Sequence, residues 1–170
     1  VARDGSDPLA RPKPLLRQVY AYAAYRVGPG PDAEDVLSDV LERALRGRST
    51  YDPARGAPIA WLIGIARHVI AERREGVKTI AAFPEVADET DIEAQTIDRL
   101  ALDEALARLP ERDQELLAMR YGADLSAAAI AEVLEMQVNA VEVALHRALG
   151  RLRGLMTEPA GGMRDVRSRR

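Results

Sequence analysis

The sequence predicts an all-α fold: two small helical domains joined by a flexible acidic linker, the C-terminal one containing a helix-turn-helix. Three observations carry that expectation. Apolar residues make up 47% of the 170-residue chain, but they are mostly Ala, Leu, Val and Ile, with one Phe and one Trp. They recur at three- and four-residue spacing, and no segment alternates or runs in β-branched residues as a strand would. Charge comes in blocks. Residues 1–75 are slightly basic, Glu85 to Glu104 holds eight acids against Arg99 alone, and Arg164 to Arg170 is basic. Such blocks suit a modular chain better than a uniform globule.

Residues 1–11 read as a flexible N-terminal arm, and the first domain is expected over 12–75. Leu15, Leu16, Val19, Tyr20, Ala23 and Val27 recur at helical spacing until Gly28-Pro29-Gly30-Pro31 stops them. Asp32 is expected to cap the next helix, with Asp35 near its positive end. Its buried stripe is Val36, Leu37, Val40, Leu41, Ala44 and Leu45, and Gly47 fits its stop. "RSTYDPARGAP" (48–58) is a loop of turn-formers, and Pro58 suits a first helical position. "IAWLIGIARHVIAERR" (59–74) then runs apolar on nearly every face before turning basic, as a helix does that crosses a small bundle and emerges into water.

Residues 76–97 break the periodicity and carry much of the acid; they are expected to form a linker. About 22 extended residues reach some 70 Å, so the domains need not touch. The second domain is expected over 98–157. "DRLALDEALARL" ends before Pro110 and "ERDQELLAMRY" at Gly122. Ser126 caps "AAAIAEVL", Asn139 caps "AVEVALHRALGRLRGLM", and these two helices around Glu135–Val138 form the helix-turn-helix. Ile130, Leu134, Val138, Val141 and Leu145 are its expected core. Residues 158–170 read as a disordered tail.

Composition also excludes classes of function. Without Cys there is neither a disulfide framework nor a thiolate metal site, and His68 and His146 are the only imidazoles. No metal site, cofactor or catalytic constellation is expected, and the protein is not read as an enzyme. No apolar run approaches the roughly 20 residues of a membrane span, and the first residues do not read as a signal peptide. A cytoplasmic protein is expected.

Three motifs in order suggest a family: "DAEDVLSDVLERAL", then "YDPARGAPIAWLIGIARHVIAERR", then "ALARLPERDQELLAMRYGADLS" leading into the helix-turn-helix. Together, over residues 12–155, they resemble the bacterial extracytoplasmic-function (ECF) sigma factors, the compact two-domain sigma factors of RNA polymerase. The resemblance implies that the helix over 32–46 docks on the β′ clamp helices of core polymerase through Asp35, Asp39, Glu42, Arg43 and Arg46, with the β flap a further polymerase contact. The competing reading of that stripe is a solvated face with i,i+4 pairs Asp39–Arg43 and Glu42–Arg46.

By the same resemblance, residues 48–74 open and hold the −10 promoter element. That task needs a pocket for an unstacked base and cations for the strand. Tyr51 is the stacking candidate, and Arg55, Arg67, Arg73 and Arg74 are the phosphate candidates. His68 stands where the family often has Asn. Trp61, flanked by Ile59, Leu62, Ile63 and Ile65, reads as a core residue rather than a melting wedge.

The second domain would place its recognition helix in the major groove of −35 DNA. Val141, Leu145, Ala148 and Leu152 face inward, leaving Asn139, Glu142, Val143, His146, Arg147 and Arg151 toward DNA. Family members commonly carry Gly at the turn position of Glu135 and basic residues at those of Glu142, Ala144 and Leu149. The implied function is promoter-directed initiation, with core polymerase, promoter DNA and an anti-sigma factor as partners. The alternative is a sigma-like interaction module that binds polymerase or a regulator without reading promoters.

Overall fold

A computed structural model describes residues 7–76 and 101–157, and these contain helices and turns but no strand. Most of the expected linker (77–97), residues 1–6 of the arm and the expected tail over 158–170 lie outside the described residues.

Helix α1 spans Pro12–Val27. Its prolines occupy the first turn, where no intrahelical N–H is needed. It ends at Gly28, whose φ of 89° is costly for other residues and whose N–H donates to Ala24 O at 3.0 Å. Residues 7–9 ahead of it are packed rather than loose. Pro8 is buried, Leu9 lies on the core, and Asp7 accepts the Leu9 N–H at 3.0 Å while pairing with Arg48.

Helix α2 spans Pro31–Arg46, with Gly30 at its cap position. Asp32 therefore lies inside the first turn, where its charge meets the helix dipole without capping it. The buried stripe is Ala33, Val36, Val40 and Ala44. Leu45, expected in that stripe, is 60% exposed, because it lies one residue, about 100° of rotation, beyond Ala44. Two 3₁₀ turns, Arg48–Thr50 and Pro53–Arg55, lead to α3, Pro58–Gly76. Helix α3 buries Ala60, Leu62, Ile63, Ala66, Val69 and Ile70, a face too wide for one neighbour. It packs on α1 and α2 and also on a helix of the second unit.

That unit begins with α4, described over 101–108, and α5, Glu111–Leu117, which continues as a π turn over Ala118–Gly122. Helix α6, Ala127–Leu134, is capped as expected: Ser126 Oγ accepts the Ala129 N–H at 3.1 Å. Glu135 takes the left-handed conformation (φ 53°, ψ 43°) in the turn to α7, Val138–Thr157. Asn139 is thus within α7 and does not cap it, and Val138, expected in the core, is 43% exposed. A small leucine core of Leu106, Leu109, Leu117 and Ala148 joins α4, α5 and α7.

The larger core runs through both units. Tyr22, Val36 and Ile63 share it with Leu116, Met119, Ile130 and Val141. The π turn lies on α1 so closely that a Cβ at Gly122 would meet Ala21 O at 3.2 Å and the Tyr22 Cα at 3.3 Å. Gln18 Nε2 donates to Ala123 O at 2.9 Å across the same seam. The units that the sequence allows to stand apart are closed on each other. Each is too small to bury all its apolar surface alone.

Candidate nucleic-acid interface

One exposed face of α7 is built by helical spacing. Asn139, Glu142, Val143, His146 and Arg147 are all exposed, and no hydrogen bond or ion pair engages their side chains among the described residues. They recur at three- and four-residue steps and so share one face. A cleft of about 560 Å³, lined in part by Arg112, Met136, Asn139, Val143 and Arg147, runs beside them.

Arg151 lines the same cleft, but unlike the others its guanidinium is already held within the chain. Its Nη2 lies 2.7 Å from Asp113 Oδ1 and its Nε also binds the same carboxylate, which is buried. Two of the three positions lacking a basic residue also turn away from that face: Ala144 packs on the larger core and Leu149 on the leucine core. Of the three, only Glu142 places an acid on the exposed face itself.

In the N-terminal unit, the loop between α2 and α3 and the start of α3 enclose a pocket of about 460 Å³. Asp52 shapes the loop by accepting the Ala54 N–H at 2.9 Å, and the Tyr51 hydroxyl donates to Gly56 O at 3.0 Å. The Tyr51 and Trp61 rings meet at 5.5 Å with planes tilted by 55°. Trp61 is half-buried: it packs on the core and also lines the pocket, so the core assignment describes only part of its environment. Arg55 and His68 line the same pocket, His68 with Nδ1 2.8 Å from Gly64 O. The pocket carries two aromatic rings tilted to each other and a rim of mixed charge, with Arg43 and Arg55 beside Asp52 and Glu132; an unstacked base on a charged strand needs such rings and cations.

The remaining cations are already engaged. Arg67 Nε donates to Glu115 Oε1 at 2.7 Å and its Nη1 to Val133 O at 3.2 Å. Arg74 pairs with Glu111 and donates to Arg26 O at 3.0 Å. Arg73 donates to Asp39 at 2.6 Å and lies 3.8 Å from Asp35. On α2, Arg46 and Glu42 form the expected i,i+4 pair, but Asp39 and Arg43 do not pair with each other. Arg43 instead holds both oxygens of Glu72 on α3, with Nη1 to Oε1 at 3.0 Å. The stripe is thus tied partly across to α3, where acids and bases of two antiparallel faces meet more directly.

Residues absent from the sequence reading complete the site. Glu111 and Glu115 of α5 reach Arg67, Arg74 and the buried Arg26, whose Nη2 donates to Glu111 Oε1 at 3.1 Å. Burial works against the Glu111 carboxylate, yet Arg74 and Arg26 hold it below its usual range. Glu132 and Val133 of α6 line the Tyr51–Trp61 pocket, and a Cβ at Gly56 would collide with the Glu132 carboxylate. The available signal was the i,i+4 placement of Glu111 and Glu115 on one face of "PERDQELL".

Comparison with known proteins gives the class first: residues 13–76 match the family profile "Sigma-70 region 2" and residues 99–152 match "Sigma-70, region 4", which defines a two-region sigma-70-type protein. Among curated relatives, the ECF RNA polymerase sigma factor SigD of Mycobacterium tuberculosis is 32% identical over 151 residues, covering 79% of this chain and 70% of that one. SigL of the same species is 30% identical over 149 residues, covering 82% and 83%. BldN of Streptomyces coelicolor is 30% identical over 151 residues, which span 84% of this chain but 57% of that protein. The chain belongs to the ECF RNA polymerase sigma factor family. The fold is shared with the sigma factor RpoE solved with the anti-sigma factor NepR from Bartonella quintana (TM-score 0.67, 18% identity, 86% of this chain and 94% of that one). It is shared too with CnrH solved with the cytosolic domain of CnrY (TM-score 0.63, 22% identity, 89% and 86%).

Proposed function

We propose that this chain is a promoter-specificity subunit that lends core RNA polymerase sequence recognition and strand opening, while the polymerase carries out nucleotidyl transfer. The observation that carries this reading is the pairing of two unlike surfaces in one chain. One is a pocket with the rings of Tyr51 and Trp61 and the cations Arg43 and Arg55, suited to a flipped base of a −10 strand. The other is an unencumbered helix face, suited to the major groove of −35 DNA.

In this reading Tyr51 stacks on the extruded base, Arg55 and His68 meet the neighbouring strand, and Arg67, Arg73 and Arg74 become available as their acid partners yield. Asn139, Glu142, Val143, His146 and Arg147 read the −35 element. The exposed members of the α2 stripe, Asp35, Glu42 and Arg46, dock on the β′ clamp helices, and the C-terminal unit meets the β flap. The protein is not an enzyme and works in the cytoplasm beside polymerase. Among the described residues, no helix is long and apolar enough to cross a membrane. An anti-sigma protein is a fitting regulator, since RpoE, which shares this fold, is solved with the anti-sigma factor NepR.

Transcription in vitro with core polymerase tests the reading. Promoter-specific transcripts that require this chain support it. A stable complex with polymerase that yields none would favour the interaction-module reading, to which the acid at Glu142 lends its only specific support.

A further inference from the structure

Two donors in the interior have nothing to donate to. Tyr22 is fully buried and Arg26 is 4% exposed, yet among the described residues the Tyr22 hydroxyl and the Arg26 Nε form no hydrogen bond. Burial pushes the Tyr22 hydroxyl well above its ordinary range, and the nearby Arg26 guanidinium opposes this only in part. Tyr22 therefore keeps its proton, and both groups act as donors. A buried donor without an acceptor costs stability, so interiors rarely keep one. Among the described residues, no buried side-chain acceptor is left over to match them.

Both residues line a cavity of about 190 Å³ together with Arg67 of α3 and Glu111 and Glu115 of α5. That volume lies below the roughly 300 Å³ at which pockets for drug-sized organic ligands begin. The charges of the network do not cancel. Arg26, Arg67 and Arg74 bring three guanidiniums, against the two carboxylates of Glu111 and Glu115. What would complete the site is small, accepts hydrogen bonds and carries negative charge.

The carboxylates add a further condition. Glu111 and Glu115 hold their arginines through Oε1 and line the same space. A carboxylate can only accept, so it repels an anion beside it unless that anion brings a proton to donate. Phosphate carries such a proton at neutral pH, and sulfate does not.

We infer that the cavity between α1, α3 and α5 is a binding site for inorganic phosphate, which accepts from Tyr22 and Arg26 and donates its own proton to the Glu111 and Glu115 carboxylates. The arginines supply the attraction, and the acids select the protonated anion. The site takes no part in the promoter reading and stands whether or not that reading holds. Phosphate there touches three helices at one point, so it stabilises the folded chain in proportion to its occupancy.

Calorimetric titration of the full-length chain with sodium phosphate tests this, with sodium sulfate at matched ionic strength as the control. Phosphate should bind saturably at one site, and sulfate about tenfold more weakly or not at all. The thermal midpoint should rise further in phosphate than in sulfate, although both salts favour burial in general. Tyr22→Phe removes one donor at nearly constant shape and should weaken phosphate binding about tenfold. Glu115→Gln puts a donor in place of an acceptor and should close most of the gap between phosphate and sulfate. Glu115 is only partly buried, so this variant reads selectivity even if Tyr22→Phe folds poorly. Absence of saturable phosphate binding by the parent would overturn the inference, the two donors then being served by water. Equal binding of phosphate and sulfate would overturn it too, as would full phosphate affinity in a folded Tyr22→Phe.

Discussion

Arg151 grips the buried carboxylate of Asp113 with two nitrogens, Nη2 lying 2.7 Å from Oδ1. The pair ties the last turns of α7 to the first turn of α5 and holds the recognition helix at its angle to the rest of the unit. An Arg that helical spacing would assign to DNA is therefore part of the frame. Arg151→Ala should lower the thermal midpoint by several degrees, because it leaves a buried carboxylate without its partner. Arg147→Ala should leave the midpoint unchanged and weaken −35 duplex binding by about tenfold. Thermal melts and duplex titrations on the two variants, side by side, check the assignment.

Glu142 is exposed on the reading face and has no partner within the chain among the described residues. A free carboxylate there either accepts from cytosine N4 or repels phosphate. Glu142→Ala should relax preference at one base pair by about tenfold. Binding to a −35 library in which each position is varied measures this. A uniform rise in affinity for all sequences would instead identify Glu142 as a repulsive charge.

Glu135 carries a side chain in the left-handed region, at φ 53° and ψ 43°, where α6 turns into α7. Glycine relieves that strain, so Glu135→Gly should stabilise the protein by about 1 kcal/mol. The shift in a urea unfolding midpoint at constant slope is the measurement.

Stability should fall in acid. The Arg43 hydrogen bonds hold Glu72 below its usual range, and the Leu9 N–H followed by Arg48 does the same for Asp7. Glu111 is lowered as well, burial opposing and Arg74 and Arg26 prevailing. Each carboxylate binds its proton less readily in the folded chain than in the unfolded one. Their contribution is complete above the ordinary values of 3.8 for Asp and 4.5 for Glu and is lost as pH falls through the lowered ones. Thermal midpoints should therefore be level from neutral pH down to about 5 and drop below about 4. Glu111→Gln should make that drop shallower.

Much of the architecture was legible because local rules and burial agree. Proline at the first turns of α1, α2 and α3, the Ser126 cap and the recurring apolar residues all specify helices without reference to distant contacts. The turn at Glu135 was legible only through the family pattern, which carries Gly there; Glu itself gives no local signal for the left-handed conformation it takes. The misses at Leu45 and Val138 share a cause: periodicity locates a stripe, but a one-residue error of phase moves a side chain from core to water. Asp32 and Asn139 failed as caps because a proline or a neighbouring residue began the helix one position earlier.

By itself, the sequence determined the helices, their order, the family and the outward stripe of α7 from Asn139 to Arg147. All of these follow from spacing along the chain and from short-range preference. Only the tertiary structure decided which of the candidate cations are free. Arg55 and Arg147 face water, while Arg67, Arg73, Arg74 and Arg151 are held by acids 34 to 48 positions away. An arginine has the same composition whether it awaits a phosphate or already holds a carboxylate. Which of the two it does depends on the three-dimensional packing that brings α5 against α3 and α7, and α2 against α3.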